Sequence, residues 1–155
     1  MNAISQRTPP HAGIDAPGWA DSPAALGAPA AVVAWLTEPG LLTERVRGRC
    51  PDCFGLRIVD EREDTLSEAD ARAPGAAERR CFVREIELAC DDGAVVFAQT
   101  LVPAALLAAE PWLGQLGREA LGPRLARTGH AVREPFEFAR VGQAQSLFAR
   151  AWRSA

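Results

Sequence analysis

Residues 81 to 103, CFVREIELACDDGAVVFAQTLVP, alternate with the two-residue period of a β-strand. Phe82, Ile86, Leu88 and Cys90 fall on one face, and Val83, Glu85, Glu87 and Ala89 on the other. Arg84 falls on the apolar face. The Asp92-Gly93 pair is a hairpin signal, and Pro103 closes the second strand. That strand is apolar enough to be buried on both faces. A two-residue turn at Asp92-Gly93 would set Cys90 opposite Val95, Leu88 opposite Phe97, Ile86 opposite Gln99 and Arg84 opposite Leu101.

The rest of the pattern is mixed. A short helix is predicted from Pro29 to Trp35, with Pro29 in its first turn and Pro39-Gly40 as its stop. GLLTERVRGR (40–49) reads as a second short helix or turn, and CFGLRIVD (53–60) as a strand. Residues 61 to 80 are polar and highly charged, with Pro74-Gly75 among them, and read as a long surface connection. Residues 104 to 128 are helical in pattern, broken by Pro111 and Pro123. AVREPFEFARV (131–141) reads as a strand and QSLFARAW (145–152) as a final one. A hairpin without regular βαβ crossovers implies an α+β fold, an antiparallel β-sheet with helices packed on one side. Residues 1–22, rich in Pro, Gly and Ala, read as a flexible N-terminal arm, and 23–155 as a single domain.

Composition narrows the function. A net charge of −3 and a pI near 5.4 argue against nucleic acid as a partner. All basic side chains apart from two histidines are Arg, which reads as genome base composition and not as function. Nothing in the given sequence resembles an export signal, and no run approaches the ~18 apolar residues of a membrane span, so no membrane insertion and a cytoplasmic location are expected. The four cysteines are then expected to be reduced thiols. CPDC (50–53) invites a zinc or redox reading, but a structural zinc site takes four ligands. Cys81 and Cys90 are nine apart on one strand, on opposite faces; His11 lies in the arm and His130 is isolated. No metal site is expected, and Cys50 and Cys53 read as ordinary strand-entry residues. The run DEREDTLSEADA reads as solvated surface. Trp35 and Trp112 are expected core anchors, with Trp152 covering the last strand.

That leaves Arg84. A guanidinium on an apolar face is costly unless paired and hydrogen-bonded. One reading is an internal salt bridge to an Asp or Glu. The other is a ligand carboxylate, which the rigid fork of Arg matches bidentately. Periodicity leaves both open.

VREIELACDDGAVVFAQTLVP (83–103), followed by LGQLGREALGPRL (113–125), resembles the chorismate pyruvate-lyase family. WLTEPGLLTERVRG (35–48) and REPFEFARV (133–141) resemble its N-terminal segment and a later strand, in the same order and with similar spacing. The resemblance implies a chorismate lyase-like α+β domain with its ligand between sheet and helical flaps. It implies a cofactor-free carbon–oxygen lyase of ubiquinone biosynthesis, converting chorismate to 4-hydroxybenzoate and pyruvate, in a monomer. By resemblance, Arg84 is the catalytic, ligand-binding arginine, and Leu42 and Leu121 are substrate-binding positions acting through their backbone. Leu42 replaces the more usual Met. Thr43 and Arg45 match neighbouring family positions. The resemblance also implies a Glu on a final strand, after an Arg-Arg-Ser segment. Here LFARAWRSA holds Arg150, Arg153 and Ser154, and no Glu follows Glu137. The family's C-terminal strand is therefore expected to be missing, through truncation or natural variation, and activity to be impaired. The alternative is a non-enzymatic, aromatic-carboxylate-binding module of the same fold.

Overall fold

A computed structural model describes residues 19–65, 79–91, 93–129, 131–141 and 147–151. The expected arm up to residue 18, the middle of the polar connection (66–78), His11, His130, Trp152, Arg153 and Ser154 lie outside them. Two short helices open the fold, α1 (Ala30–Leu36) and α2 (Leu42–Arg49). Three long strands follow, β1 (Gly55–Thr65), β2 (Arg80–Cys90) and β3 (Gly93–Pro103). Helices α3 (Ala104–Ala109) and α4 (Leu121–Thr128) flank a 3-10 turn at Pro111–Gly114. Strands β4 (Glu137–Val141) and β5 (Leu147–Ala151) end it. The first three strands form an antiparallel sheet in the order β1-β2-β3, and β4-β5 form a second, two-stranded antiparallel sheet. This is the expected α+β class.

Local chemistry explains most boundaries. Pro29 caps α1, and Pro123 sits in the first turn of α4, where a missing N–H costs nothing. Glu44 in the first turn of α2 and Arg47 and Arg49 in its last complement the helix dipole. The main core joins α2 to the sheet: Val46, Cys50, Leu56, Ile86, Leu88 and Ala120 pack together, with Trp35 against them. Val46 is wholly buried, worth about 1.5–3 kcal/mol. Trp112 is half-buried, donates to Glu110 (2.7 Å) and lies under the Arg124 guanidinium. Ala20, in the expected arm, bridges Phe138 through two 2.8 Å backbone hydrogen bonds.

Several expectations are corrected. The first strand does not stop at Asp60; it runs to Thr65, so the acidic run begins as sheet. The expected strand from 131 begins only at Glu137. The hairpin turn lies one residue earlier than Asp92-Gly93, because Gly93 pairs with Cys90 and takes a φ of 113°, a conformation glycine tolerates. A bulge between Leu88 and Ala89 leaves Val95 as the extra residue on β3. Arg84 consequently faces Thr100, Ile86 faces Ala98 and Leu88 faces Val96. A one-residue slip exchanges the faces of a strand. Val95 and Phe97, expected against the core, are exposed, so β3 is not buried on both faces.

The cysteines are not all reduced thiols. Cys50, which ends α2, is disulfide-bonded to Cys90, which ends β2, with their Cα atoms 5.9 Å apart. Cys53 and Cys81 are not disulfide-bonded. Local strand geometry placed Cys81 and Cys90 on opposite faces correctly. It could not show that Cys90 meets Cys50 across 40 residues of chain.

Candidate functional site

Arg84 is 2% exposed, at the centre of β2. Its Nε donates to Glu61 Oε1 at 2.9 Å. One terminal nitrogen, Nη2, donates to the carbonyl of Gly117 at 2.5 Å and to that of Glu119 at 3.1 Å. The internal carboxylate left open by the sequence is therefore present, and it comes from a segment read as surface.

Two local features bring Glu61 there. The pairing of β1 with β2 shifts between Ile58 and Asp60, so that Val59 is an extra residue. Leu56 faces Leu88 and Ile58 faces Ile86, but beyond the bulge it is Glu61 that faces Arg84. Uninterrupted alternation would have offered Asp60. The carbonyl partners come from the loop before α4. Gly117 has a φ of 53°, the left-handed region that favours glycine, in the Leu116–Gly122 segment LGREALG. Leu116 and Ala120 are buried and anchor that loop at both ends.

Glu119 also fixes the loop from outside. Its carbonyl accepts from Arg84, while its carboxylate pairs with Arg127 and lies 3.7 Å from Arg124, both on α4. The Arg127 hydrogen bond holds this carboxyl below the usual carboxylate range.

The structure brings the three sequence-marked residues into one neighbourhood. Leu121 begins α4, two residues beyond Glu119. Leu42 begins α2. The two helix starts touch: a methyl group at Gly122 would stand 3.4 Å from Leu41 Cδ2, ordinary contact that does not demand glycine. Leu42 and Leu121 are half-buried, and neither helix start carries a side-chain cap. Such starts present backbone N–H groups that an anion can accept. Thr43 is buried. Arg45 is engaged elsewhere: it donates to Ala34 O and Glu38 at 2.6 Å each and stacks over Trp35, joining α2 to α1. Arg133 joins the same turn to the approach to β4, through Pro39 O at 2.6 Å.

A cavity of about 310 Å³, lined by Arg57, Ile58 and Arg118, opens between β1 and the loop that holds Arg84. Arg57 is paired with Glu87 across the strands, and Arg118 reaches Leu56 O at 3.4 Å. Glu61, Gly117 and Glu119 were not singled out from sequence. The positive-φ glycine inside a repeated Leu-Gly motif was the available signal for the loop; no local signal announced Glu61. Among the described residues, no helix is long and apolar enough to cross a membrane.

The chorismate lyase family model matches residues 17–155. The chain is 33% identical over 113 residues to a probable chorismate pyruvate-lyase of Pseudoalteromonas translucida, covering 73% of this chain and 62% of that protein. It is 36% identical over 120 residues to one of Photobacterium profundum, covering 75% and 66%. A third, of Azoarcus, is 32% identical over 118 residues, covering 74% and 61%. The chain thus spans a little under two thirds of the length of these relatives. With the family model matching nearly all of the sequence, the chain belongs to the chorismate lyase family.

Proposed function

We propose that the protein is a chorismate lyase, releasing pyruvate from chorismate to leave 4-hydroxybenzoate for ubiquinone biosynthesis, and that Arg84, Leu42 and Leu121 form its site. The observation that carries this reading is a guanidinium 2% exposed and bonded to the loop that leads into the uncapped start of α4, which lies against the start of α2. The reaction breaks one carbon–oxygen bond of the enolpyruvyl ether and aromatises the ring. It involves no net redox change. The site must hold carboxylate charge, stabilise charge developing on the departing enolpyruvate oxygen and exclude water.

Arg84 suits the first two tasks, because a preorganised cation acts strongly where solvent screening is weak. The backbone N–H groups at Leu42 and Leu121 add neutral donors. Substrate has to displace or share Glu61, which is about one-third exposed on the bulged strand. Arg57 and Arg118, at the nearby cavity, make the approach attractive to a dianion. The test follows 4-hydroxybenzoate absorbance from chorismate. Turnover by the natural chain, lost in Arg84→Ala, is the expected result. No turnover and no 4-hydroxybenzoate binding by the natural chain would sink the reading.

A second reading is an aromatic-carboxylate binder without turnover. The Arg84–Glu61 pair favours it, since a guanidinium already matched by a carboxylate has less to offer a transition state. Binding of 4-hydroxybenzoate without turnover, abolished in Arg84→Ala, selects this second reading.

A further inference from the structure

Three sulfur atoms converge where α2 and β2 both end. Cys50 and Cys90 are bonded, and the Sγ atoms of Cys50, Cys53 and Cys90 all lie within 4.8 Å of one another. The lyase reading uses none of them. Cys53 is a half-buried free thiol, whereas Cys81, also outside the disulfide, is buried in a separate cluster with Val83.

The backbone around Cys53 suits a second linkage. Its N–H donates to Cys50 O at 3.2 Å, closing a tight turn. Such turns bring the first and fourth Cα atoms within about 7 Å, which overlaps the ~4.4–6.8 Å that a disulfide spans. Cys50 can therefore bond either Cys90 or Cys53 with little backbone movement.

We propose that Cys50, Cys53 and Cys90 form a thiol–disulfide exchange site. Cys53 loses its proton to solvent, and its thiolate attacks Cys50 Sγ. The Cys50–Cys53 bond forms as the Cys50–Cys90 bond breaks; the electron pair leaves on Cys90 Sγ, which takes up a proton. The step is an isomerisation and consumes no oxidant or reductant. Its structural effect is on α2. The Cys50–Cys90 bond ties the end of that helix covalently to the sheet, across a sequence separation of 40. The Cys50–Cys53 bond closes only a turn, leaving α2 held by packing of Val46 and its neighbours. A thiolate metal site is the competing use of the same sulfurs, but a structural zinc takes four ligands and this group supplies three.

Disulfide mapping tests the proposal without reference to lyase activity. The full chain is equilibrated with glutathione buffer, alkylated at low pH and digested with trypsin. Cys50 and Cys53 then travel together in residues 50–57, Cys81 in 81–84 and Cys90 in 85–118. The Cys50–Cys90 bond joins two peptides; the Cys50–Cys53 bond leaves residues 50–57 unjoined, unalkylated and two hydrogens lighter. The expected result is both forms in the natural chain, with Cys81 alkylated in each. Cys53→Ser should give only the joined form, and Cys90→Ser only the internal one. Amide exchange over residues 42–49 should be faster in Cys90→Ser than in Cys53→Ser. A single linkage in the natural chain after equilibration would overturn the proposal. So would stoichiometric zinc in the purified chain, with all four thiols alkylated once it is chelated.

Discussion

Arg84 and Glu85 are consecutive on β2 and almost equally buried, at 2% and 3% exposure, yet they are neutralised in different ways. Glu85 is served within its own sheet: Gln99 on β3 donates to it at 2.9 Å, and Arg62 on β1 lies 3.4 Å away. Arg62 is itself shared with Asp60 and Asp64, and the Asp60 hydrogen bond raises its pKa above the ordinary value. Arg84 takes one partner from β1 and two from the loop before α4, more than 30 residues away in sequence. Glu85 holds strands together. Arg84 ties the sheet to the loop that leads into α4, an element outside the sheet.

The sharpest break of this comparison is Arg84→Ala. It strands two carbonyls and the Glu61 carboxylate, and should cost about 3 kcal/mol, the lower end for a buried pair because Glu61 is partly exposed. Urea denaturation reads that loss, and calorimetry should find no 4-hydroxybenzoate binding. If the variant does not fold, Arg84→Lys keeps the charge without the fork, and weakened ligand binding in a folded chain carries the same conclusion. Glu85→Ala should cost about 1–2 kcal/mol, since Arg62 and Gln99 can turn to water. Its ligand affinity should match that of the natural chain; a loss as deep as that of Arg84→Ala would erase the distinction between the two faces. Glu61→Gln removes the charge competing for Arg84 while keeping an acceptor. It should tighten 4-hydroxybenzoate binding by about 1 kcal/mol, roughly fivefold. Weaker binding would show that Glu61 orients Arg84 for the ligand.

The smallest effect concerns pH. The Glu119 carboxyl is held below its unfolded pKa by Arg127, so this pair contributes stability above the ordinary carboxylate range. That contribution fades as pH falls through the lowered folded value. Glu119→Gln should lower thermal stability slightly at neutral pH and converge with the natural chain as pH falls, which flattens the acid limb of the profile. A variant that loses stability equally at neutral and acidic pH would show instead that Glu119 acts through packing of the loop.

Much of the fold was legible in order. The helix at Pro29, the α2 segment, the hairpin and the broken helical stretch from 104 to 128 all lie close to where propensity and punctuation put them. The candidate site came from resemblance alone; the fold puts Arg84 on the central strand and Leu42 and Leu121 at the starts of α2 and α4. What escaped was pairing. Glu61 sat in a run of charges with no apolar alternation, so nothing local distinguished a strand residue from a solvated one. The turn signal at Asp92-Gly93 was one residue out, and the bulge at Val95, which nothing in the sequence announced, moved Val95 and Phe97 to the exposed face.

By itself, the sequence determined that Arg84 shares a face with Ile86 and Leu88, because a strand's period of two is a property of the backbone alone. The tertiary structure decided what meets it. A single extra residue at Val59 substitutes Glu61 for Asp60, and one at Val95 trades the faces of β3. Cys50 finds Cys90 only when α2 docks on the sheet. Bulges and docking are chosen by packing between elements, and spacing along the chain carries no trace of them.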